Sequence, residues 1–198
     1  MRVSREKFTE TRARILDTAA KLFREKGFDG IGLADIMKAA GLTHGGFYKH
    51  FDSKDDLEAC ATSLVMEKAA ANWRRIAEGG EPRQLDNFVE NYLTPQHRDN
   101  MGGGCVLAAL GADVARQSPR VRSAFADGLD DMLEQMAMTA PGGTPEARRQ
   151  NAIAIIAELV GGLILARAVD DPDFSREILA ATSHDLSGGG ERGPNTDE

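Results

Sequence analysis

Apolar residues recur at three- and four-residue spacing through almost the whole chain, the period of an α-helix packed on one side. Ile15, Leu16, Ala19, Leu22 and Phe23 form such a stripe in a first helix predicted over residues 8–26. Arg24 and Lys26 suit its negative end, and Gly27 stops it. Leu33, Ile36, Met37 and Ala40 make the apolar face of a short second helix, which Gly41 ends with a left-handed residue. Leu42 then fills the corner, and Thr43 offers a hydroxyl to cap a third helix. Phe47 and Phe51, four residues apart, pin that helix by one side. Ser53 with Asp56 is a capping-box-like start for a long fourth helix, predicted from 54 to about 77 and ending near Gly79-Gly80. As one stiff rod, it is an element through which a signal could travel.

Beyond residue 80 the helices are announced by their caps. Ser118-Pro119, Thr144-Pro145 and Asp171-Pro172 each put a capping side chain before a proline at the first helical position. They predict helices over 119–139, 145–169 and 172–183. Glu81-Pro82 opens another that carries Leu85, Phe88, Val89 and Tyr92. A Pro- and Gly-rich break runs from Pro95 to Gly104, and Cys105 to Ala115 follows as a further helix. The sum is nine helices with no internal repeat and almost no strand signal, so the fold class is all-α. The end of the chain, from Ser187 to Glu198, is Gly-rich and polar and predicts disorder.

Residues 33–54 carry the pattern with the most specific chemistry. A short helix, a tight turn and a second short helix leave Thr43, His44, Gly45, Tyr48, Lys49 and His50 facing solvent opposite the phenylalanines. This is the arrangement of a helix-turn-helix whose second helix enters the major groove. The run GLTHGGFYKHFDSKDDL resembles the recognition-helix signature of the TetR/AcrR family of bacterial transcriptional regulators. The preceding ILDTAAKLFREKGFDGIGLADIMKAA resembles that family's first two helices, so the likeness covers roughly residues 10 to 60. Two positions depart from it. Gly32 stands where the family has Ser or Thr capping the second helix, and Gly46 where Thr, Ser or Ala is usual. The resemblance implies a DNA-binding domain of three helices over 1–53, a helical ligand-binding and dimerisation domain over 54–184, and a disordered tail over 185–198. At the recognition helix, Tyr48, Lys54, the Thr43 hydroxyl and His50 are expected at phosphates, where they set register. His44, Gly45, Gly46 and Lys49 are expected near base edges, the two glycines allowing close approach at about 2 kcal/mol of lost helix propensity in sum.

Charge sharpens this division. The chain carries a formal −7, which taken alone argues against nucleic acid. Residues 1–54, however, hold 11 Lys and Arg against 7 Asp and Glu, and the remainder holds 13 against 24. A basic head on an acidic body suits a protein that touches double-stranded operator DNA with one end only. Two cysteines make no disulfide scaffold in a chain of this size. The N-terminus is charged throughout, unlike a signal peptide. Ala152 to Val169 is apolar but carries Glu158 and Arg167, which favours a buried helix over a membrane span. No membrane partner is expected, and the cytoplasm is the expected compartment.

The body offers no catalytic set. His97 and His184 lack partners at metal-ligand spacing, Asp130, Asp131 and Glu134 read as a solvated face, and no metal or cofactor is expected. Apolar and aromatic side chains at helical spacing read singly as core: Met66, Trp73, Phe88, Tyr92, Leu107 and Leu110, then Phe125, Met132 and Met136. As a set they could line a cavity, and the resemblance implies a small-molecule pocket between the fourth and seventh helices. Cys105 follows three glycines at a helix start, where the positive helix end lowers a thiol's pKa. GGGCVLAALGADVA resembles the sixth-helix region of a subset of the family, some of whose members sense electrophiles through cysteine. A small buried apolar residue is the other reading of Cys105, and packing the reading of Cys60. In the penultimate helix Ala154, Ala157 and Gly161 share one face where two backbones can approach closely. That face serves either intramolecular packing or, as the resemblance implies, a homodimer in which the last two helices, with Phe174, meet their symmetry mates.

The reading that joins these parts is a dimeric, ligand-responsive repressor, released from a pseudo-palindromic operator by a small apolar or electrophilic effector. The alternatives are an activator or ligand-independent regulator of the same fold, a helical enzyme using Cys105, and a helical interaction module without DNA.

Overall fold

The computed structural model describes residues 5–78 and 84–189, all of whose regular structure is helical. Nine α-helices are present among them: α1 Arg5–Lys26, α2 Leu33–Ala39, α3 Lys54–Ala77, α4 Gln84–Tyr92, α5 Pro95–Asp99, α6 Val106–Val114, α7 Pro119–Ala137, α8 Pro145–Ala168 and α9 Pro172–His184. A 3-10 helix, His44–Lys49, lies between α2 and α3, and a π-helical turn, Asp185–Gly189, follows α9.

The caps carry the boundaries. Thr144 accepts from the Ala147 amide at 3.1 Å, and Asp171 accepts from the Asp173 and Phe174 amides at 2.8 and 2.9 Å. Ser118 accepts more weakly from Val121 at 3.3 Å. Gly27 (φ 75) and Gly41 (φ 69) end α1 and α2 in the left-handed region, as their places in the chain require. Two stretches differ from the sequence-based expectation. Pro95 to Asp99, expected within a break, forms the short α5, because Thr94 caps it through the His97 amide and Pro95 takes its first position. The expected tail from 185 begins instead with the π turn, in which Leu186 supplies an apolar side chain that is buried. Residues 190–198 and the helix ends placed at Gly79-Gly80 and Glu81-Pro82 lie outside the described residues.

The chain divides into two compact units. The first comprises residues 1–71 and 101–132, so it holds α1, α2, the 3-10 helix, most of α3, α6 and most of α7. Its core is aromatic and aliphatic: Ile15, Phe23, Phe28, Ile36, Met37, Phe47, Phe51 and Leu57 are fully or almost fully buried. α6 is fastened to the end of α1 by Arg24, whose Nε and Nη2 both donate to the carbonyl of Gly102, the former at 2.7 Å. The side chain of Glu25 fills the space that a Cβ on Gly102 would need.

The second unit comprises residues 72–100 and 133–198. Its helices α8 and α9 pack on each other and bury Ile155, Ile156, Leu159, Leu163 and Leu179. α8 is long and apolar enough to cross a membrane by length and composition, yet those residues turn one of its faces inward. Arg167 holds α5 against α8 by donating to the carbonyls of Arg98 (2.9 Å) and His97 (3.1 Å). Arg98 in turn donates to Ser175 Oγ at 2.7 Å.

The two adjacent glycines of α8 do different things. A Cβ on Gly162 would stand 2.6 Å from Thr182 Oγ1 and 2.8 Å from its Cγ2, so α9 approaches only because the side chain is absent. A Cβ on Gly161 would meet nothing within 4 Å. Thr182 is β-branched and stiff. Gly162→Ala is therefore expected to cost about 1–3 kcal/mol, the usual range for overpacking. Gly161→Ala, by contrast, meets nothing within its own chain and should cost less than Gly162→Ala. Paired urea-unfolding curves check this; equal midpoints for the two variants would contradict it.

Candidate nucleic-acid interface

The expected recognition helix is six residues of 3-10 helix rather than α-helix. Gly45 and Gly46 are the physical reason: each favours the coil over an α-helix by about 1 kcal/mol relative to Ala, and the segment is too short to recover that by itself. The tighter turn also changes the cap. Gly46 N–H donates to the Thr43 backbone carbonyl at 3.0 Å, and the Thr43 hydroxyl makes no capping bond. Thr43 is exposed, and its Oγ1 lies 3.8 Å from where a Cβ on Gly46 would stand.

Packing holds the segment where propensity does not. Phe47 is fully buried and Phe51 nearly so, their rings stacked with centroids 5.6 Å apart. Tyr48 sets its edge against Phe47 at 5.1 Å but remains 64% exposed, so its hydroxyl end is free of the core. His44, also exposed, meets Tyr48 edge to face at 6.3 Å. Lys49 is exposed, and Gly45 has nothing within 4 Å of where a Cβ would be. Thr43, His44, Gly45, Tyr48 and Lys49 thus lie together on one open surface, with Gly46 half-buried beside Met37 Cε at 3.8 Å.

Two expected contact residues are committed inward. His50 is half-buried and its ring lies tilted against that of Phe8 at 4.4 Å; burial first, then Arg12 and Lys49, push its pKa below the ordinary value. Lys54 Nζ donates to the Phe28 carbonyl at 2.6 Å and pairs with Glu58 at 3.2 Å, tying the start of α3 to the loop after α1. One of its three N–H groups is left for an outside acceptor.

Arg12, which the apolar periodicity does not single out, grips the far end of the segment. Its guanidinium lies 4.3 Å over the Phe51 ring, donates to the His50 carbonyl at 3.5 Å, and donates to Cys60 Sγ at 3.5 Å. The only signal in the chain is its place one turn before Ile15 and Leu16, at the edge of the apolar stripe, where arginines lay their stems on a core. Asp56, the capping partner of Ser53 that the sequence singles out, carries in addition a tie to Arg120 that no local spacing shows. Its amide donates to Ser53 Oγ at 3.0 Å, and its carboxylate accepts from the Asp52 amide at 3.1 Å and pairs with Arg120 at 2.6 Å.

The remaining candidates sort by unit. Met66, Leu107, Leu110 and Met132 are buried in the first unit, with Phe125 half-buried; Trp73, Phe88, Tyr92 and Met136 are buried in the second. There Trp73, Phe88, Tyr92 and His97 run ring to ring at 5.0, 5.6 and 4.5 Å. Cys105 is half-buried at the N-cap of α6, in no disulfide, and its side chain does not cap that helix. Ala154, Ala157 and Phe174 are exposed, Gly161 is half-exposed, and Ile153, Ile164 and Leu165 extend the same apolar surface along α8.

The comparisons with known proteins bear on both ends of the chain. Residues 15–59 match the family described as bacterial regulatory proteins, tetR family, and residues 81–182 match the tetracyclin repressor-like C-terminal domain. The HTH-type transcriptional repressor NemR of Escherichia coli K12 is 29% identical over 140 residues, covering 68% of this chain and 69% of that protein. An uncharacterised HTH-type transcriptional regulator of Mycobacterium tuberculosis H37Rv is 27% identical over 168 residues, 81% of this chain and 86% of its own. The crystal structure of the reduced form of E. coli NemR shares the fold, with a TM-score of 0.74 at 23% identity over 89% of this chain and 95% of that one.

Asp56 gives this site a pH signature. Burial pushes its carboxyl up, but the Asp52 amide, Arg120 and the Cys60 thiol together outweigh burial and hold it below the usual carboxylate range. A carboxyl depressed in the folded state stabilises the fold above its unfolded value of about 3.9 and stops doing so as pH falls through the folded value. The stability difference between the wild type and Asp56→Asn should therefore shrink between pH 5 and pH 3, about the range of that titration. Urea unfolding at the two ends checks this, and a difference that stays constant would contradict it.

Proposed function

The chain belongs to the TetR family of bacterial transcriptional regulators, and on that premise we propose that it is a dimeric repressor released from operator DNA by a small effector. The observation that carries the DNA-binding half is the open surface of Thr43, His44, Gly45, Tyr48 and Lys49, anchored from behind by buried Phe47 and Phe51. Tyr48 and the Thr43 hydroxyl have the reach and exposure for phosphates, and His44 and Lys49 for base edges. Lys54 and His50 contribute chiefly by holding the segment in place. The functional division then follows the chain: a DNA-binding head to residue 53, an effector and dimerisation body from 54 to 184.

Dimerisation is supported by the apolar surface of α8 and α9. Leu165 is 59% exposed, Phe174 51% and Ile153 48%, and these residues flank Ala154, Ala157 and Gly161. A contiguous apolar patch of this kind is costly on a free monomer. Two copies joined there would carry two heads spaced for successive major grooves, about 35 Å apart, on a pseudo-palindromic operator. An apolar or electrophilic effector that binds better to a mismatched head spacing would release DNA with no further device. The name of the relative NemR, a repressor, and the reduced form recorded for its structure support repression and make a thiol-directed effector reasonable for Cys105. The cytoplasm is the compartment such a role requires.

Mobility shifts on a duplex carrying the sequence upstream of the gene test the head. Tyr48→Phe should weaken binding to all duplexes alike, whereas His44→Ala should flatten the preference for the operator over scrambled DNA. Lys49→Ala should likewise flatten that preference, as the loss of a base-edge contact does. Binding that survives all three substitutions unchanged would refute the assignment. Deleting the gene should raise expression from that promoter; a fall would make the protein an activator.

The dimer has its own test. Leu165→Glu puts a charge into the apolar stripe and should yield a monomer by sedimentation equilibrium, with operator affinity lost in parallel. A wild type that sediments as a monomer would rule the arrangement out.

A further inference from the structure

Behind the exit of the recognition segment lies a polar cluster that neither the apolar core nor DNA contact requires. Asp56 is only 8% exposed, an unusual place for a carboxylate. It is satisfied from three sides: the Asp52 amide at 3.1 Å, Arg120 Nη2 at 2.6 Å, and the Cys60 thiol, which donates at 3.7 Å. Arg120 is the second residue of α7, far along the chain from the head, and its own side chain is 57% exposed. An exposed ion pair contributes little, but one whose carboxylate is buried is different. Removing the cation strands a charge with few remaining partners.

The geometry also names what the stranded carboxylate would do. Cys60 Sγ lies between Asp56 and Arg12, accepting from Arg12 Nη2 at 3.5 Å while donating to Asp56. Arg12 is the other cation in this network, joined to it through Cys60. It is the residue that caps the His50 carbonyl and covers the Phe51 ring. Arg120 thus keeps Asp56 turned toward the Asp52 amide and leaves Arg12 to the recognition segment. Without Arg120, the two would draw together at the expense of both His50 and Asp52.

The geometry points to Arg120 as a positioning residue for DNA recognition: acting through Asp56, it fixes the exit of the His44–Lys49 segment without itself touching DNA. The inference rests on the DNA-binding reading above and adds a second tie between α7 and the head, alongside the continuous helix α3. A displacement of the first turn of α7 would then be felt directly at Asp52, three residues beyond the segment.

The test uses the full chain with Arg120→Ala and Arg120→Lys. Because Arg120 is on the surface, both variants are expected to fold, which circular dichroism checks. Affinity for the upstream duplex should fall about tenfold in Arg120→Ala, the size of effect seen when a coupling residue is removed, and recover largely in Arg120→Lys. The salt slope of binding should stay at the wild-type value. A slope lowered by about 0.9 would make Arg120 a phosphate contact and overturn the proposal, as would unchanged affinity. Amide resonances of residues 44–52 should shift in Arg120→Ala without DNA present, most of all that of Asp52; unmoved resonances would overturn the positioning role as well. If the wild type itself fails to bind the duplex, the DNA-binding reading is what fails, and the resonances alone judge whether Arg120 holds the segment.

Discussion

The burial of Phe47 and Phe51 is the contact on which the exposed surface of Thr43, His44, Tyr48 and Lys49 depends. A six-residue segment with two adjacent glycines cannot hold a helical geometry alone, since nucleation is unfavourable and glycine adds to its cost. Two large rings, stacked 5.6 Å apart and removed from water, supply what the backbone lacks. Each contributes on the order of 2 kcal/mol by burial, comparable with the propensity deficit of Gly45 and Gly46 together. The segment is placed by its side chains and shaped by the turn it fits, which is why it settles as 3-10 helix.

Around those rings the fold adds directional ties, because apolar contact alone leaves a helix free to slide or rotate. Arg12 holds the His50 carbonyl, Lys54 the Phe28 carbonyl and Asp56 the Asp52 amide. All three bond to backbone groups in loops, which have no ladder or helix partner to satisfy them. Lys54 is thereby bonded within the chain at the edge of the exposed surface of Thr43, His44, Tyr48 and Lys49. The same kind of tie appears at α6, where Arg24 closes on Gly102.

The second unit shows the complementary situation. α8 buries one face through Ile155, Ile156, Leu159 and Leu163 and leaves another apolar face open. Gly162 and Gly161, one residue apart and about 100° around the helix, fall on those two faces. One glycine lets α9 approach, and the other fronts open space. Identical residues in sequence thus meet opposite environments, and no local property distinguishes them.

Helices, their caps and the aromatic anchors were legible in the chain itself, because each rests on residues within four positions of one another. Asp171-Pro172, Gly41 and the Phe47–Phe51 spacing are of this kind; Thr94-Pro95 carries the same signature but reads as part of a break, and the structure shows its cap opening α5. The basic balance of residues 1–54 and the helix-turn-helix pattern likewise belong to the sequence alone. Only the tertiary structure decided that the expected recognition segment is a 3-10 helix, that Lys54 bonds the Phe28 carbonyl and His50 lies against Phe8, and that Arg12 and Arg120 bond the His50 carbonyl and Asp56. Periodicity reveals which face of a helix seeks cover. It does not reveal which distant residue provides it, because that choice is made by contacts between segments that come together only when the chain folds.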